Sequence, residues 1–288
     1  MPNIKTFLTY ALIAVSLLVI GLFTYHNITD EKKHEHYKPL EAHNSCLALN
    51  YHRIRSGTLY ERALKLMSNS NELNRYNVFK DDFEAQLKWM TAHGATFVSE
   101  QQLEESYKTQ RFPAGCVWLS FDDGDETTYT NALPILKKYH VPATVFVIAG
   151  QVGNKDFNNI KLATWAELRK MKDSGLITFG SHTYNMHELL DNKPIFNKVP
   201  AAEFKADLLK SKATLKKELG IDAKSFAYPY GNANDKTMNV VEQAGFDYAY
   251  ILAPHAITTD NYRSLLNRIM VDDETFERQV KEWKGFKT

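Results

Sequence analysis

The sequence predicts an α/β protein built as a (β/α) barrel of seven or eight parallel strands, and three observations predict it. Short, nearly continuous apolar runs recur from Cys46 onward, separated by stretches with helical periodicity, as βα units require. Several of the runs lack polar alternation, the pattern of strands buried on both faces. Residues that carry chemistry stand directly after the runs, where a parallel barrel gathers its reactive groups.

Taken in order, the strand candidates are residues 46–51, 95–98, 116–121, 143–149, 176–180, 224–228, 247–252 and 266–271. Phe83, Leu87 and Met90 form one helical stripe. Thr164 to Glu167 has the form of a capping box, opening a helix that Gly175 closes. Phe204, Leu208, Leu215 and Leu219 mark a further helix over residues 201–219. This many strands in 288 residues fit a closed or nearly closed barrel better than an open sheet. Two connections, residues 53–79 and 183–200, show no clear periodicity, and long loops in compact domains are often functional.

The domain plan follows from the N-terminal end. Residues 7–25 carry no charge and approach the ~20 residues needed to cross a bilayer, longer than a secretory apolar region usually runs. Residues 1–28 are therefore expected to be a signal peptide or membrane anchor, with the length favouring an uncleaved anchor. Residues 29–44 are polar and charged, a tether, and residues 45–288 are the catalytic domain. The rest of the chain is expected to be exported, outside the cell or attached to its surface. With 35 Lys+Arg against 34 Asp+Glu, no excess of positive charge exists to neutralise a phosphate backbone, which argues against nucleic acid as a partner. A monomer is expected. Cys46 and Cys116 match no zinc spacing. They stand six residues before His52 and Asp122 respectively, so the two sulfurs are expected at similar depth on their strands, close together whether bonded or free.

Four strand ends deliver reactive groups. Asp122-Asp123-Gly124 follows 116–121; His182 and His187 follow 176–180; Pro229-Tyr230-Gly231 follows 224–228; His52 follows 46–51. Each alone has a bland reading: Asp-Asp-Gly and Tyr-Pro-Tyr-Gly as turns, the paired His as surface loop residues, His52 as strand-end packing. Their conjunction at one rim is what points to a site. Asp123, His182 and His187 offer a carboxylate and two imidazoles, a set suited to Zn²⁺ or, failing that, to Co²⁺ or Ni²⁺. Asp122, pointing elsewhere from the same strand end, is free to act as a base on water. A glycosidase would need two carboxylates flanking a sugar bond, which adjacent residues are poorly placed to provide.

At these residues the chain resembles the polysaccharide deacetylases of carbohydrate esterase family four, whose Thr-Phe-Asp-Asp-Gly motif stands here as Ser120-Phe121-Asp122-Asp123-Gly124. The resemblance covers most of residues 46–271. It implies a distorted (β/α) barrel with seven or eight strands, Asp122 as catalytic base, Asp123, His182 and His187 as metal ligands, and a backbone N–H of Tyr230 donated to the oxyanion. Three departures narrow the branch: four residues separate the two His, the usual motif Arg is missing before Pro229-Tyr230, and the chain begins its first strand with a run ending Tyr51-His52-Arg53-Ile54. These resemble the branch with permuted motif order that acts on poly-β-1,6-N-acetylglucosamine in biofilms, where the catalytic His comes from an early strand. His52 is accordingly the expected general acid. Arg268 is the candidate for holding Asp122, and Tyr228 for supporting or binding substrate. The expected reaction removes acetyl groups from an extracellular N-acetylglucosamine polymer. A chitin or peptidoglycan deacetylase is the enzymatic alternative, and a silent cell-surface glycan-binding protein the alternative of another class.

Overall fold

A computed structural model describes Ile13, Ser16, Leu17 and residues 37–68 and 70–287. The chain divides into a unit ending at Pro39 and a body beginning at Leu40. The leader or anchor expected over 1–28 lies outside the described residues, save for the three named, as does the tether up to residue 36. Among the described residues no helix is long and apolar enough to cross a membrane.

The strands are β1 (Ser45–Tyr51), β2 (Arg53–Arg55), β3 (Asn77–Phe79), β4 (Thr96–Phe97), β5 (Cys116–Phe121), β6 (Ala143–Val147) and β7 (Ile177–Ser181), followed by β8 (Leu189–Leu190), β9 (Lys193–Pro194), β10 (Ser225–Ala227), β11 (Tyr248–Tyr250), β12 (Ile257–Thr258) and β13 (Ile269–Met270). The helices are α1 (Leu59–Met67), α2 (Asn71–Arg75), α3 (Lys80–Ala92), α4 (Glu100–Lys108), α5 (Leu133–Tyr139), α6 (Trp165–Asp173), α7 (Ala201–Leu219) and α8 (Asp235–Gln243). Strands β1, β5, β6, β7, β10 and β11 pair in parallel in that order, and β13 pairs in parallel with the far edge of β1. A parallel bridge between Tyr250 and Leu266 joins β11 to the segment entering β13, which completes a ring of seven. The run at 95–98 does not enter the ring: β4 pairs only with Cys116 and Val117, before β6 joins β5 at Leu119.

Alternation along the strands sorts the core into two layers. Leu47, Leu49 and Tyr51 of β1 and Val117, Leu119 and Phe121 of β5 pack outward with the helices, which bring Phe83, Leu87, Met90, Leu168 and Leu215. Cys46, Ala48, Cys116, Trp118, Phe146 and Tyr250 pack with one another in a separate cluster inside the ring. Register places Leu47 opposite Val117 and Tyr51 opposite Phe121, so the inner positions of β1 and β5 rise in step toward His52 and Asp122. Gly180 makes room for this filling, since a Cβ there would collide with the Phe146 ring and Ser225 Oγ.

Cys46 and Cys116 are joined in a disulfide with their Cα atoms 4.6 Å apart, both fully buried at the base of this stack. The bond closes a sequence separation of 70 residues. Cys46→Ser is expected to lower the unfolding free energy by about 2–4 kcal/mol. Equilibrium denaturation under oxidising and reducing conditions measures it, and equal midpoints for the variant and the oxidised parent would exclude a stabilising bond.

The two connections without periodicity are more ordered than expected. Residues 53–79 hold β2 paired in parallel with β3, and α1, whose Thr58–Glu61 capping box is complete. No residue of α1 is buried: its apolar residues, Leu59, Tyr60, Leu64, Leu66 and Met67, share one helical face and are exposed. Residues 183–200 hold the short antiparallel pair of β8 with β9 and one 3₁₀ turn.

Candidate active site

The four strand ends named above meet at the carboxyl rim of the ring. Asp123 leaves β5 in the left-handed region at φ 70°, followed by Gly124 at φ 80°, so the turn and the site are the same structure. Asp123 Oδ1 lies 3.6 Å from His182 Nε2 and 3.2 Å from His187 Nε2. One ligand atom from each of the three falls within 4.8 Å of the others. His182 is fully buried directly after β7, and its Nδ1 lies 2.7 Å from the Ala227 carbonyl oxygen, so Nδ1–H donates there and Nε2 keeps its lone pair toward Asp123. Burial pushes this imidazole down to about 4, partly opposed by Asp122, which keeps it neutral as a ligand must be. Burial pushes the Asp123 carboxyl up, but His187, His52 and His182 outweigh it and hold the group well below the carboxylate range.

Asp122 points away from that cluster into a bidentate pair with Arg268, at 2.6 Å from Nη1 to Oδ1 and 2.8 Å from Nη2 to Oδ2. Arg268 is wholly buried inside the ring, 5.1 Å from the Phe146 ring centre, and donates also to Ser120 Oγ at 3.2 Å. Burial pushes the Asp122 carboxyl up, and Arg268 with His182 and His52 reverses the shift, so the group stays ionised and below its ordinary value. His52, just past β1, packs edge-on against Tyr76 with ring centres 4.9 Å apart, and its buried Nδ1 has no hydrogen-bond partner. Burial pushes its imidazole down, with Asp123 and Asp122 pulling the other way.

Tyr230 adopts φ 59°, a strained conformation for a side chain of its size, and its ring lies 4.8 Å from that of His187. Tyr228 has a different place from the one expected. Its side chain is fully buried among Phe226, Phe246 and Phe204, 5.0 Å from the Phe226 ring, and a group with no exposed surface cannot touch a substrate. Any support it gives comes from anchoring the turn below Tyr230.

A cavity of about 210 Å³ opens over these groups, lined by His52, Asp122, Asp123, His182, His187 and Tyr230. Arg53, Tyr76, Phe157, Asn158, Ile160 and Leu252 complete the lining and were not anticipated from the sequence. Arg53 stands next to His52 and reaches Asp123 Oδ2 at 3.7 Å, so its position in the motif run was a signal; residues 157–160 sit in an irregular loop that offered none. A larger hollow of about 630 Å³ on the outer surface between α5 and α6 contains none of these groups.

A carboxylate and two imidazoles converging beside an arginine-held carboxylate, on the carboxyl rim of a parallel barrel, define a hydrolase of the metal-assisted kind. Residues 109–249 match the polysaccharide deacetylase family, and the chain belongs to it. It is 36% identical to the poly-beta-1,6-N-acetyl-D-glucosamine N-deacetylase of Staphylococcus aureus over 283 residues, 98% of each chain. The solved structure of IcaB from Ammonifex degensii superposes with a TM-score of 0.72 at 30% identity, covering 83% of this chain and 96% of that one. The deacetylase PplD of Streptococcus pyogenes, solved in complex with acetate, superposes with a TM-score of 0.69 at 27% identity, covering 83% and 98%.

Proposed function

We propose that the chain is a metal-dependent poly-β-1,6-N-acetyl-D-glucosamine N-deacetylase, acting on an extracellular polymer to release acetate and leave free amines. The convergence of Asp123, His182 and His187 beside the Asp122–Arg268 pair carries the reading. The near full-length similarity to a relative named for that reaction supports the substrate.

The donor set fits a divalent ion. Asp123 Oδ1 is buried without a hydrogen-bond donor, and His182 is fixed as the tautomer that presents Nε2. Two imidazoles and one carboxylate suit Zn²⁺, with Co²⁺ or Ni²⁺ as substitutes. When bound, such an ion would lower the pKa of the attacking water and polarise the acetamide carbonyl. Asp122 accepts the water's proton on a lone pair that the bidentate pair with Arg268 leaves open. Arg268 keeps Asp122 ionised and fixes its direction, which leaves it a weak but correctly placed base. The Tyr230 N–H donates to the oxyanion as the carbonyl becomes tetrahedral. His52 then protonates the nitrogen, since an amide anion is too poor a leaving group to depart alone.

Partial deacetylation turns a neutral glycan cationic and able to hold anionic surfaces. Residues 45–288 form the catalytic domain in this reading, and residues 1–28 serve as the export signal or anchor. Acetate release from poly-β-1,6-N-acetylglucosamine oligomers, compared with chitin oligomers, with and without chelator, is the test. Release from the β-1,6 polymer, abolished by chelator and restored by Zn²⁺, is expected. Faster release from chitin overturns the linkage assignment, and chelator-insensitive release overturns the metal.

A further inference from the structure

The three residues of the metal cluster are fixed by the fold to different degrees. Asp123 and His182 stand within two residues of the ends of β5 and β7, and the His182 N–H donates to the Val147 carbonyl at 2.9 Å. His187 lies on the connection between β7 and β8, separated from His182 by four residues, and no strand holds it. That turn begins with Thr183 at φ 77°, a conformation a β-branched residue keeps only when its surroundings enforce it.

The enforcing group comes from α7. Asp207 lies on the buried face of that helix with Phe204, Leu208 and Ser211, where a carboxylate is costly unless its oxygens are satisfied. Its Oδ2 accepts the Tyr184 N–H at 2.7 Å and its Oδ1 accepts the Asn185 N–H at 2.9 Å. Lys210, one turn later, covers the Tyr184 ring at 4.0 Å, and the Gly150 N–H donates to the Tyr184 carbonyl at 2.7 Å. The Met186 N–H donates back to Thr183 Oγ1 at 3.2 Å, which closes the turn one residue before His187.

We infer that Asp207 is a positioning residue which, by gripping the backbone of Tyr184 and Asn185, places His187 opposite Asp123 and His182 and so sets the affinity of the metal site. The inference rests on the metal reading above. It accounts for an acidic side chain on the buried face of a helix, and it explains how a His spacing of four intervening residues still brings both imidazoles to one carboxylate.

Zn²⁺ affinity measured by chelator competition, together with the visible absorption of the Co²⁺-loaded protein, tests it on the full chain. In Asp207→Ala the Zn²⁺ dissociation constant is expected to rise about 10- to 100-fold, the range for losing a group that orients a ligand, and the Co²⁺ bands are expected to change as His187 shifts. Asp207→Asn keeps one acceptor oxygen and is expected to fall between Ala and the parent. A dissociation constant and Co²⁺ spectrum matching the parent in Asp207→Ala overturn the inference; where that variant does not fold, parent-like values in Asp207→Asn overturn it. Failure of the unsubstituted chain to take up Zn²⁺ or Co²⁺ would instead strike the metal reading itself.

Discussion

His182→Ala and His187→Ala are each expected to lose bound metal and nearly all acetate release, whereas Asp122→Asn keeps its metal and loses turnover by about 10²- to 10⁴-fold. The division follows from geometry. His182 and His187 direct Nε2 toward Asp123, while Asp122 is occupied by Arg268 and turned from that cluster. Stability should separate the variants in a second way. Asp122→Asn leaves the fully buried Arg268 without its counter-charge, and breaking a buried pair from one side costs about 3–5 kcal/mol. The His variants leave that pair intact. Metal content by elemental analysis, acetate release and thermal unfolding of the three variants together read the assignment. Equal metal loss in all three would contradict the separation of base from ligands.

The barrel was legible because its strands obey simple rules. The apolar runs are buried on both faces, and equal offsets from Cys46 to His52 and from Cys116 to Asp122 already encode the β1–β5 register, which the pairing of Leu47 with Val117 bears out. The helix opened by Thr164 and the stripe from Phe204 to Leu219 were readable for the same reason, as caps and periodicity are local signals. What stayed hidden is non-local or exposed. Helix α1 does carry an apolar stripe of Leu59, Tyr60, Ala63, Leu64, Leu66 and Met67, which the reading of residues 53–79 as unperiodic passed over, and the fold leaves that stripe exposed. Ring closure joins two predicted runs, through the Tyr250–Leu266 bridge and the Ile251 N–H on the Leu266 carbonyl, but which run pairs with which is not written in their periodicity. Asp207 looks like any acid on a helix until the turn it holds is seen above it, and Tyr228 looks like a site residue because it adjoins one. Adjacency in sequence located the rim, but period-two alternation decided which neighbours face into it.

His52→Ala is expected to retain metal and lose about a hundredfold or more in acetate release. The strand that carries it, β1, runs beside β5 in register, so His52 and Asp122 emerge next to each other on one rim, and both line the cavity. Its Nδ1 is buried and has no hydrogen-bond partner, and the ring is steadied by Tyr76 at 4.9 Å rather than by a polar contact that would occupy it. A residue serving only to pack a strand end would not need to face a carboxylate cluster across a cavity. The pH profile separates the roles further. The Asp122 carboxyl sits below its ordinary value, so the acid limb should rise at low pH as that group ionises. Burial holds His52 below the ordinary imidazole value, so activity should begin to fall below that value as pH rises and the acid form is lost. In His52→Ala the residual rate should keep the rising limb and lose the falling one, because only the acid has been removed. Near-normal turnover in the folded variant, or a falling limb unchanged from the parent, would remove His52 from the chemistry and leave the leaving amine to be protonated from solvent.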